Sequence, residues 1–136
     1  MIVEITGRYT GKLGTLMIHG PSGKALRTAA PVDNQGDGSS FSPTDLAAAA
    51  LASCMVTIMG IAARDSDIDL EGLEFAVEKH MASEPRRIGR LPIKIQMPAG
   101  LGPDQRRMLE AAAASCPMCS SLSDAVDRSV EFSYPD

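Results

Sequence analysis

Aromatic side chains are nearly absent from this sequence. The chain has no Trp, and its two Tyr and three Phe make up 4% of the 136 residues. A hydrophobic core therefore cannot be built around aromatic rings. The hydrophobic fraction of 44% is still sufficient for a core, which we expect to consist of Ala, Leu, Ile, Val and Met side chains.

An excess of positive charge is also missing. Asp and Glu outnumber Lys and Arg by 17 to 13, and the formal net charge is −4. Binding to nucleic acid or to an anionic membrane surface requires a basic face. The composition supports neither kind of partner, and we expect neither nucleic acid nor membrane binding.

No signal peptide is recognisable at the N-terminus, where residues 2–9 (IVEITGRY) alternate as in a half-buried strand. The chain contains three cysteines, an odd number. Without an export signal, cysteines are more often reactive, metal-binding or buried than paired in structural disulfides. We therefore expect a cytoplasmic protein. Its length predicts a single domain over residues 1–136, small enough to gain stability from sharing a core in an oligomer.

The longest apolar segment runs from Phe41 to Arg64 and predicts a long central helix with Cys54 near its midpoint. Ser42 or Thr44 can cap its N-terminus, and Asp45 favours the positive end of the helix dipole. A helix that is apolar on all sides must be surrounded by protein or by lipid. This one is only mildly hydrophobic and lacks flanking Trp or Tyr, so we expect it in a protein core.

Alternating and turn-forming residues predict the remaining elements. Strands are expected at residues 2–9, 15–19, 24–28, 70–81, 88–97 and 129–134, a second helix at 103–115 and a helical turn at 120–125. Runs of strands interrupted by single helices indicate an α+β fold with an antiparallel strand meander at the N-terminus.

The polar loop at residues 31–40 (PVDNQGDGSS) precedes the central helix, and loops in such positions often carry function. Its Asp and Asn residues partly match a calcium-binding loop, but the alternating acidic spacing and the distal Glu are missing. We therefore expect no metal ion in this loop, and no cofactor.

A CxxC motif lies at Cys116–Cys119. In redox proteins such a pair provides a reactive thiol and its resolving partner, but thioredoxin-like enzymes place the motif after a strand, whereas here it follows a predicted helix. Two interpretations stay open: a dithiol pair, or a zinc site completed by Cys54 and by His19 or His80. Cys54 taken alone is more often a packing residue than a reagent.

Two separated motifs carry a family resemblance. The segments SPTDLAAAALASCM around Cys54 and CPMCSSL from Cys116 resemble the OsmC/Ohr family of thiol peroxidases, and the order of elements agrees over nearly the whole chain. The resemblance implies an OsmC-like fold: an intertwined α+β homodimer with its long central helices packed together. It also implies two active sites at the subunit interface.

The resemblance further implies a role for each thiol. Cys54 matches the peroxidatic cysteine of the family, and Cys116 matches the resolving one. A hydroperoxide oxidises the first thiolate to a sulfenic acid, which condenses with the second thiol to a disulfide. The implied partners are a small hydroperoxide and a dithiol reductant, either a lipoyl protein or thioredoxin.

The chain departs from the peroxidase pattern at three positions. Lys12 occupies the turn position at which peroxidase members have Arg, and Lys lacks the planar guanidinium fork. Thr44 stands at the position of their Glu, with Asp45 one residue later. Cys119 stands where Ser is common. These differences indicate a less characterised branch of the family.

We therefore predict a peroxide reductase of oxidative stress defence that prefers organic hydroperoxides. A cation near Cys54 would favour its thiolate, and Thr44 and Asp45 would orient that cation. The candidate cations are Lys12, Arg27, Arg86 and Arg87. Arg86 and Arg87 also have a simpler interpretation as solvated charges of a hairpin.

Two alternatives belong to other functional classes. The first is a binding protein that keeps the fold, lacks peroxidase activity and uses its pocket for a small ligand. The second is a dithiol or zinc module based on Cys116 and Cys119. Turnover of peroxide with a supplied dithiol distinguishes the peroxidase from both.

Overall fold

The computed structural model describes residues 1–135. Within this range the chain forms two compact units, residues 1–46 and a second unit that begins at residue 47. Together their elements give the α+β class predicted from the sequence, with antiparallel strands, a long helix and a second helix.

The N-terminal unit is built on a three-stranded antiparallel sheet. Its strands are β1 (Ile5–Gly11), β2 (Gly14–His19) and β3 (Ala25–Ala29), in the order β1-β2-β3. The predicted meander is therefore confirmed, although β1 begins at Ile5 rather than at residue 2. A short 3₁₀ turn at Val32–Asn34 lies in the polar loop that leads to the first helix.

The long helix α1 (Pro43–Asp65) follows this loop and confirms the predicted central helix. Ser42 is its cap: the Asp45 N–H donates to Ser42 Oγ (3.0 Å), and the Ser42 N–H donates to Asp45 Oδ2 (2.8 Å). This reciprocal pair is a capping box in which Asp takes the place of the usual Glu. Thr44, the alternative cap, lies inside the first turn.

Helix α1 is the one helix within residues 1–135 that is long and apolar enough to cross a membrane. Its buried side chains instead form part of the protein core, as expected for the central helix of a small soluble fold. The buried residues are Ala48, Leu51, Ala52, Met55, Met59 and Ala63. The opposite face, at Ala50, Ser53, Thr57 and Ile61, is exposed in the single chain.

The second unit contains the sheet β4-β7-β8, made of β4 (Glu74–Val77), β7 (Ile93–Gln96) and β8 (Val130–Ser133), and a separate hairpin of β5 (His80–Ala82) and β6 (Arg87–Arg90). β4 runs antiparallel to β7, whereas β8 runs parallel to it. A parallel neighbour requires a long crossover. The helices α2 (Pro103–Ala114) and α3 (Pro117–Ser121) supply that crossover.

The prediction of two long strands at 70–81 and 88–97 is wrong in their extent. Each is broken into two short strands, and the breaks lie opposite each other, because the Glu78 N–H donates to the carbonyl of Pro92 while Pro92 has no N–H to return. A register shift between His80 and Met81 adds to the break. Pro92 lies directly before β7, a position at the start of a strand where its missing N–H is tolerated.

The predicted helical turn at 120–125 is also wrong in position. The helix α3 begins at Pro117, because a proline at the first helical position lacks only an N–H that would have no partner in the helix. Cys116 has extended backbone geometry and serves as the N-cap of α3. The CxxC motif therefore forms the start of a short helix after all, although it follows a helix rather than a strand.

Candidate active site

The three thiols of the chain belong to the C-terminal unit and form one cluster. Cys54 comes from the middle of α1, Cys116 caps α3, and Cys119 lies one helical turn further along α3. None of the three is in a disulfide. Cys116 is completely buried, while Cys54 and Cys119 are half-buried and pack against the hydrophobic core. Residues distant in sequence thus meet at one apolar site.

Cys116 is the central member of this cluster. Its sulfur lies 2.8 Å from the sulfur of Cys119, and its side chain also forms a hydrogen bond with the Cys54 thiol. The backbone N–H of Cys119 donates to Cys116 Sγ at 3.3 Å. The Cys119 thiol also donates to the carbonyl of Ala113 at 3.9 Å. Cys116 is therefore in contact with both other thiols.

The first turn of α3 directs backbone N–H groups at two sulfurs. Pro117 contributes no N–H, the Met118 N–H donates to the Cys54 thiol, and the Cys119 N–H donates to Cys116. A thiolate is stabilised by such donors. The Met118 contact could not be predicted from the sequence, because any residue type can supply a backbone N–H.

Burial dominates the acid–base properties of the two contacting thiols. Burial raises the pKa of Cys54; the hydrogen bond with Cys116 adds to this increase, and the Met118 N–H opposes it. Burial also raises the pKa of Cys116, and its hydrogen bond with Cys119 adds to the increase. The neutral thiol of Cys54 is therefore favoured, and a nucleophilic role requires a positive charge close to it.

Arg128 fixes the segment that carries Cys119. Its Nη1 donates to the carbonyl of Cys119, and its Nη2 lies 3.6 Å from Asp124 Oδ1. The Arg128 side chain is 21% exposed, whereas that of Asp124 is fully exposed. A guanidinium with two anchors restricts the backbone at Cys119. Sequence reasoning missed this residue, since a single Arg before a strand has no distinctive pattern.

Lys12 lies in the tight turn between β1 and β2 of the N-terminal unit. Lys12 and Leu13 have φ angles of 55° and 62°, the left-handed region that costs a non-glycine residue roughly 1 kcal/mol. The turn is held by the Leu13 N–H, which donates to the Tyr9 hydroxyl (3.1 Å), and by the Ala30 N–H, which donates to the Leu13 carbonyl. Strained turns that are held in this way often carry functional side chains.

The polar loop before α1 places a carboxylate within the electrostatic reach of Lys12. Hydrogen bonds from Ser39 hold the pKa of Asp37 below its usual value, and the positive charge of Lys12 lowers it further. The sequence indicates that the loop as a whole could carry function, but it does not predict a particular interaction for Asp37. Lys12 therefore has an acidic neighbour in the loop.

The other proposed site residues have varied surroundings. Asp45 is part of the capping box of α1, and the Thr44 hydroxyl lies 3.2 Å from that of Ser42. Arg27 is exposed on β3 of the N-terminal unit. Arg86 and Arg87 are exposed in the β5–β6 hairpin, where the Arg87 guanidinium donates to two backbone carbonyls of the connecting turn.

Within residues 1–135, no group of three or more His, Cys, Asp or Glu side chains is arranged to hold a metal ion. His19 is bonded to Ser22, and His80 is bonded to Glu78. The open zinc interpretation of the CxxC motif thus has no matching ligand set in this part of the chain.

Comparison with known proteins relates this arrangement to one family. The family model described as OsmC-like protein matches residues 36–131. A crystal structure from Psychrobacter arcticus 273-4, of a protein named for an osmotic-stress-induced and detoxification response, is 41% identical with a TM-score of 0.90. The alignment covers 96% of this chain and 94% of that one. No curated protein matches the chain.

More distant structures share the fold. An organic hydroperoxide resistance protein OsmC from Legionella pneumophila is 21% identical with a TM-score of 0.74, over 98% of this chain and 97% of that one. An OsmC-like protein from Mycoplasma pneumoniae is 13% identical with a TM-score of 0.82, also over 98% and 97%. At these identities the likeness concerns the fold alone.

Proposed function

The chain belongs to the OsmC-like family, and on this premise we propose that it is a cysteine-based peroxide reductase acting on organic hydroperoxides. Cys54 is the nucleophile and Cys116 the resolving thiol. The observation that carries the proposal is the hydrogen bond between these two side chains, which come from distant segments and meet in an apolar site.

The proposed reaction has two steps. The Cys54 thiolate attacks the outer oxygen of the hydroperoxide, the O–O bond breaks, and Cys54 becomes a sulfenic acid. The alkoxide that leaves takes up the proton that the Cys54 thiol released and becomes an alcohol. Cys116 then attacks the Cys54 sulfur, water leaves, and a Cys54–Cys116 disulfide forms. An external dithiol returns both sulfurs to thiols and is itself oxidised to a disulfide.

Positive charge is needed for the first step, because burial raises the pKa of Cys54. We assign this role to Lys12, which is held in a strained turn at the position that corresponds to the family Arg. Thr44 and Asp45 fix the start of α1 and are proposed as positioning residues. Arg27, Arg86 and Arg87 remain auxiliary candidates.

The surroundings of the thiols favour an organic substrate over hydrogen peroxide. Cys54, Met118 and Cys119 pack against a cluster of buried hydrophobic side chains, and a strongly hydrated peroxide would lose water on entering such surroundings. The names of two distant relatives agree with this choice: proteins from Legionella pneumophila and Elizabethkingia anophelis are called organic hydroperoxide resistance proteins.

We further propose a cytoplasmic homodimer with a lipoyl protein or thioredoxin as reductant. The exposed stripe of α1 at Ala50, Ser53, Thr57 and Ile61 supports dimer formation, because these residues share one side of an uncharged helix. A reducing compartment is consistent with three free thiols.

A second candidate function is dithiol–disulfide exchange by Cys116 and Cys119 without involvement of Cys54. The 2.8 Å distance between their sulfurs favours it. In that case Cys54 would be a packing residue, and the protein would exchange disulfides without turning over peroxide.

Steady-state consumption of cumene hydroperoxide and hydrogen peroxide tests the proposal, with dihydrolipoamide or thioredoxin as reductant. We expect faster consumption of the organic peroxide, and loss of turnover in Cys54→Ser and Cys116→Ser. A wild type that consumes no peroxide but exchanges a disulfide substrate equally well in Cys54→Ser would instead establish the dithiol function.

A further inference from the structure

We propose that Cys119 is a second resolving thiol, which moves the disulfide from Cys54–Cys116 to Cys116–Cys119 and leaves Cys54 free to react again. This inference rests on the proposed function, since it requires that Cys54 is oxidised first. It assigns a catalytic role to the third thiol of the chain and identifies the disulfide that the external dithiol reduces.

The arrangement of the sulfurs carries the inference. Cys116 contacts Cys119 at 2.8 Å and forms a hydrogen bond with Cys54, so that its sulfur lies between two potential partners. A thiol that attacks a disulfide must approach one of its two sulfurs. When Cys54 and Cys116 are joined, Cys119 is already next to the Cys116 sulfur and needs no movement of an entire element.

The exchange step is balanced without another reagent. Cys119 loses its proton and attacks Cys116, the Cys54–Cys116 bond breaks, and Cys54 leaves as a thiolate that can take up the proton. One disulfide is replaced by another, and no net oxidation occurs. The organic hydroperoxide remains the oxidant and the external dithiol the final reductant, as in the proposed function.

The exchange changes which disulfide sulfurs the external dithiol can reach. Cys116 is completely buried, so a disulfide between Cys54 and Cys116 offers the reductant a sulfur only at Cys54, which is half-buried in the middle of α1 beside the exposed face that we propose to pack in the dimer. Cys119 is half-buried on the short helix α3, directly before the exposed Ser120 and Ser121. The exchange thus moves the disulfide onto a surface helix that a dithiol can approach.

Arg128 supports this role as a positioning residue. It holds the Cys119 carbonyl while Asp124 restrains the guanidinium, so that the backbone at Cys119 stays close to Cys116. The Cys119 N–H also donates to the Cys116 sulfur. The carbonyl and the N–H of Cys119 are therefore both held by hydrogen bonds.

The stoichiometry of peroxide uptake without reductant tests the relay. If the relay operates, the reduced wild-type protein consumes about two equivalents of cumene hydroperoxide. The second equivalent is consumed because the exchange frees Cys54, which then forms a sulfenic acid. Cys119→Ser consumes about one equivalent, a twofold decrease, since the Cys54–Cys116 disulfide is its end state. Ser120→Ala is the matched control and takes up as much as the wild type.

Tryptic mapping after acid quench identifies the disulfides. Cys54 lies on the peptide 28–64, whereas Cys116 and Cys119 share the peptide 108–128. We expect a cross-link between the two peptides at early times, then an internal disulfide in 108–128 and a dimedone adduct on Cys54. In Cys119→Ser the cross-link persists.

The outcomes separate the two proposals. A wild-type protein that stops at one equivalent with a persistent cross-link overturns the relay and leaves the peroxidase intact. A Cys54 that is never oxidised, or an internal disulfide that forms equally fast in Cys54→Ser, overturns the proposed function and the relay with it.

Discussion

The sulfur atoms of Cys116 and Cys119 lie 2.8 Å apart, and Cys116 also forms a hydrogen bond with Cys54. A two-cysteine peroxidase needs only one of these contacts. With the second contact, Cys116 can form a disulfide with either Cys54 or Cys119. Loss of Cys54 and loss of Cys119 therefore have different expected consequences. Cys54→Ser should remove the peroxide reaction, whereas Cys119→Ser should leave the Cys54–Cys116 disulfide as the end state and halve the peroxide taken up without reductant.

The reaction of Cys54 with hydroperoxide should accelerate as pH rises. Burial raises the pKa of this thiol, so that below its pKa the reactive thiolate increases about tenfold per pH unit. We expect this increase between about pH 6 and pH 8 in stopped-flow measurements of the first turnover. A rate that is constant over this range would contradict burial as the dominant influence on Cys54.

Replacing Lys12 should separate stability from reactivity. Lys12→Gly relieves a left-handed non-glycine residue and is expected to raise the free energy of unfolding by about 0.5–1 kcal/mol in urea titrations. The same change removes the proposed cation, and the pH midpoint of the first turnover should move upward. Leu13→Gly, the matched control in the same turn, keeps the charge and should keep the midpoint. An unchanged midpoint in Lys12→Gly would exclude Lys12 as the activating group.

The exposed stripe of α1 predicts the assembly. Ile61 is 45% exposed in the single chain, and a carboxylate there would be buried without a partner in a dimer packed through this face. Ile61→Asp should weaken dimerisation at least about tenfold, while Ile61→Leu should not. Light scattering of the wild type at micromolar concentration should give twice the 14.3 kDa chain mass. A stable wild-type monomer would contradict the dimer.

Tyr134 should stabilise the C-terminal unit in a pH-dependent way. Its hydroxyl donates to Glu110 Oε2 at 2.8 Å, and its ring lies under the Arg106 guanidinium at 4.1 Å. Tyr134→Phe keeps the ring and should cost about 1 kcal/mol at neutral pH. Burial, followed by the bond to Glu110, raises the pKa of Tyr134 to about 12.

The raised pKa of Tyr134 determines how the stability of the protein changes at alkaline pH. A raised pKa in the folded state means that the stabilisation is fully present below the unfolded value near pH 10 and is lost as pH rises through about 12. The stability difference between wild type and Tyr134→Phe should therefore shrink over this range in alkaline unfolding curves. A constant difference would show that the hydroxyl does not carry the effect.

Regular elements of this fold could be predicted largely from the sequence, and their interruptions could not. The apolar run after Ser42 predicts α1 because its cap and composition are local properties. The long strands were wrong because the break at Pro92 depends on its pairing with Glu78, which is a tertiary contact. The start of α3 at Pro117 was missed because the same proline can end one helix and begin the next.

The candidate site shows a similar division. The pairing of Cys54 with Cys116 was predicted from the family resemblance, because their spacing in the sequence does not indicate it. The Met118 N–H, the Arg128 contact with Cys119 and the charge interaction of Asp37 with Lys12 depend on the folded backbone. Residue types in the sequence do not encode such contacts individually.

The central claim is that Cys54 is the thiol that reacts with hydroperoxide, and trapping its sulfenic acid tests this most directly. In Cys116→Ser, resolution by Cys116 is removed, and the oxidised nucleophile has to persist. We expect one equivalent of cumene hydroperoxide with dimedone to label Cys54 on the peptide 28–64. An unlabelled Cys54, with oxidation confined to Cys119 on the peptide 108–128, would contradict the claim and make Cys54 a packing residue.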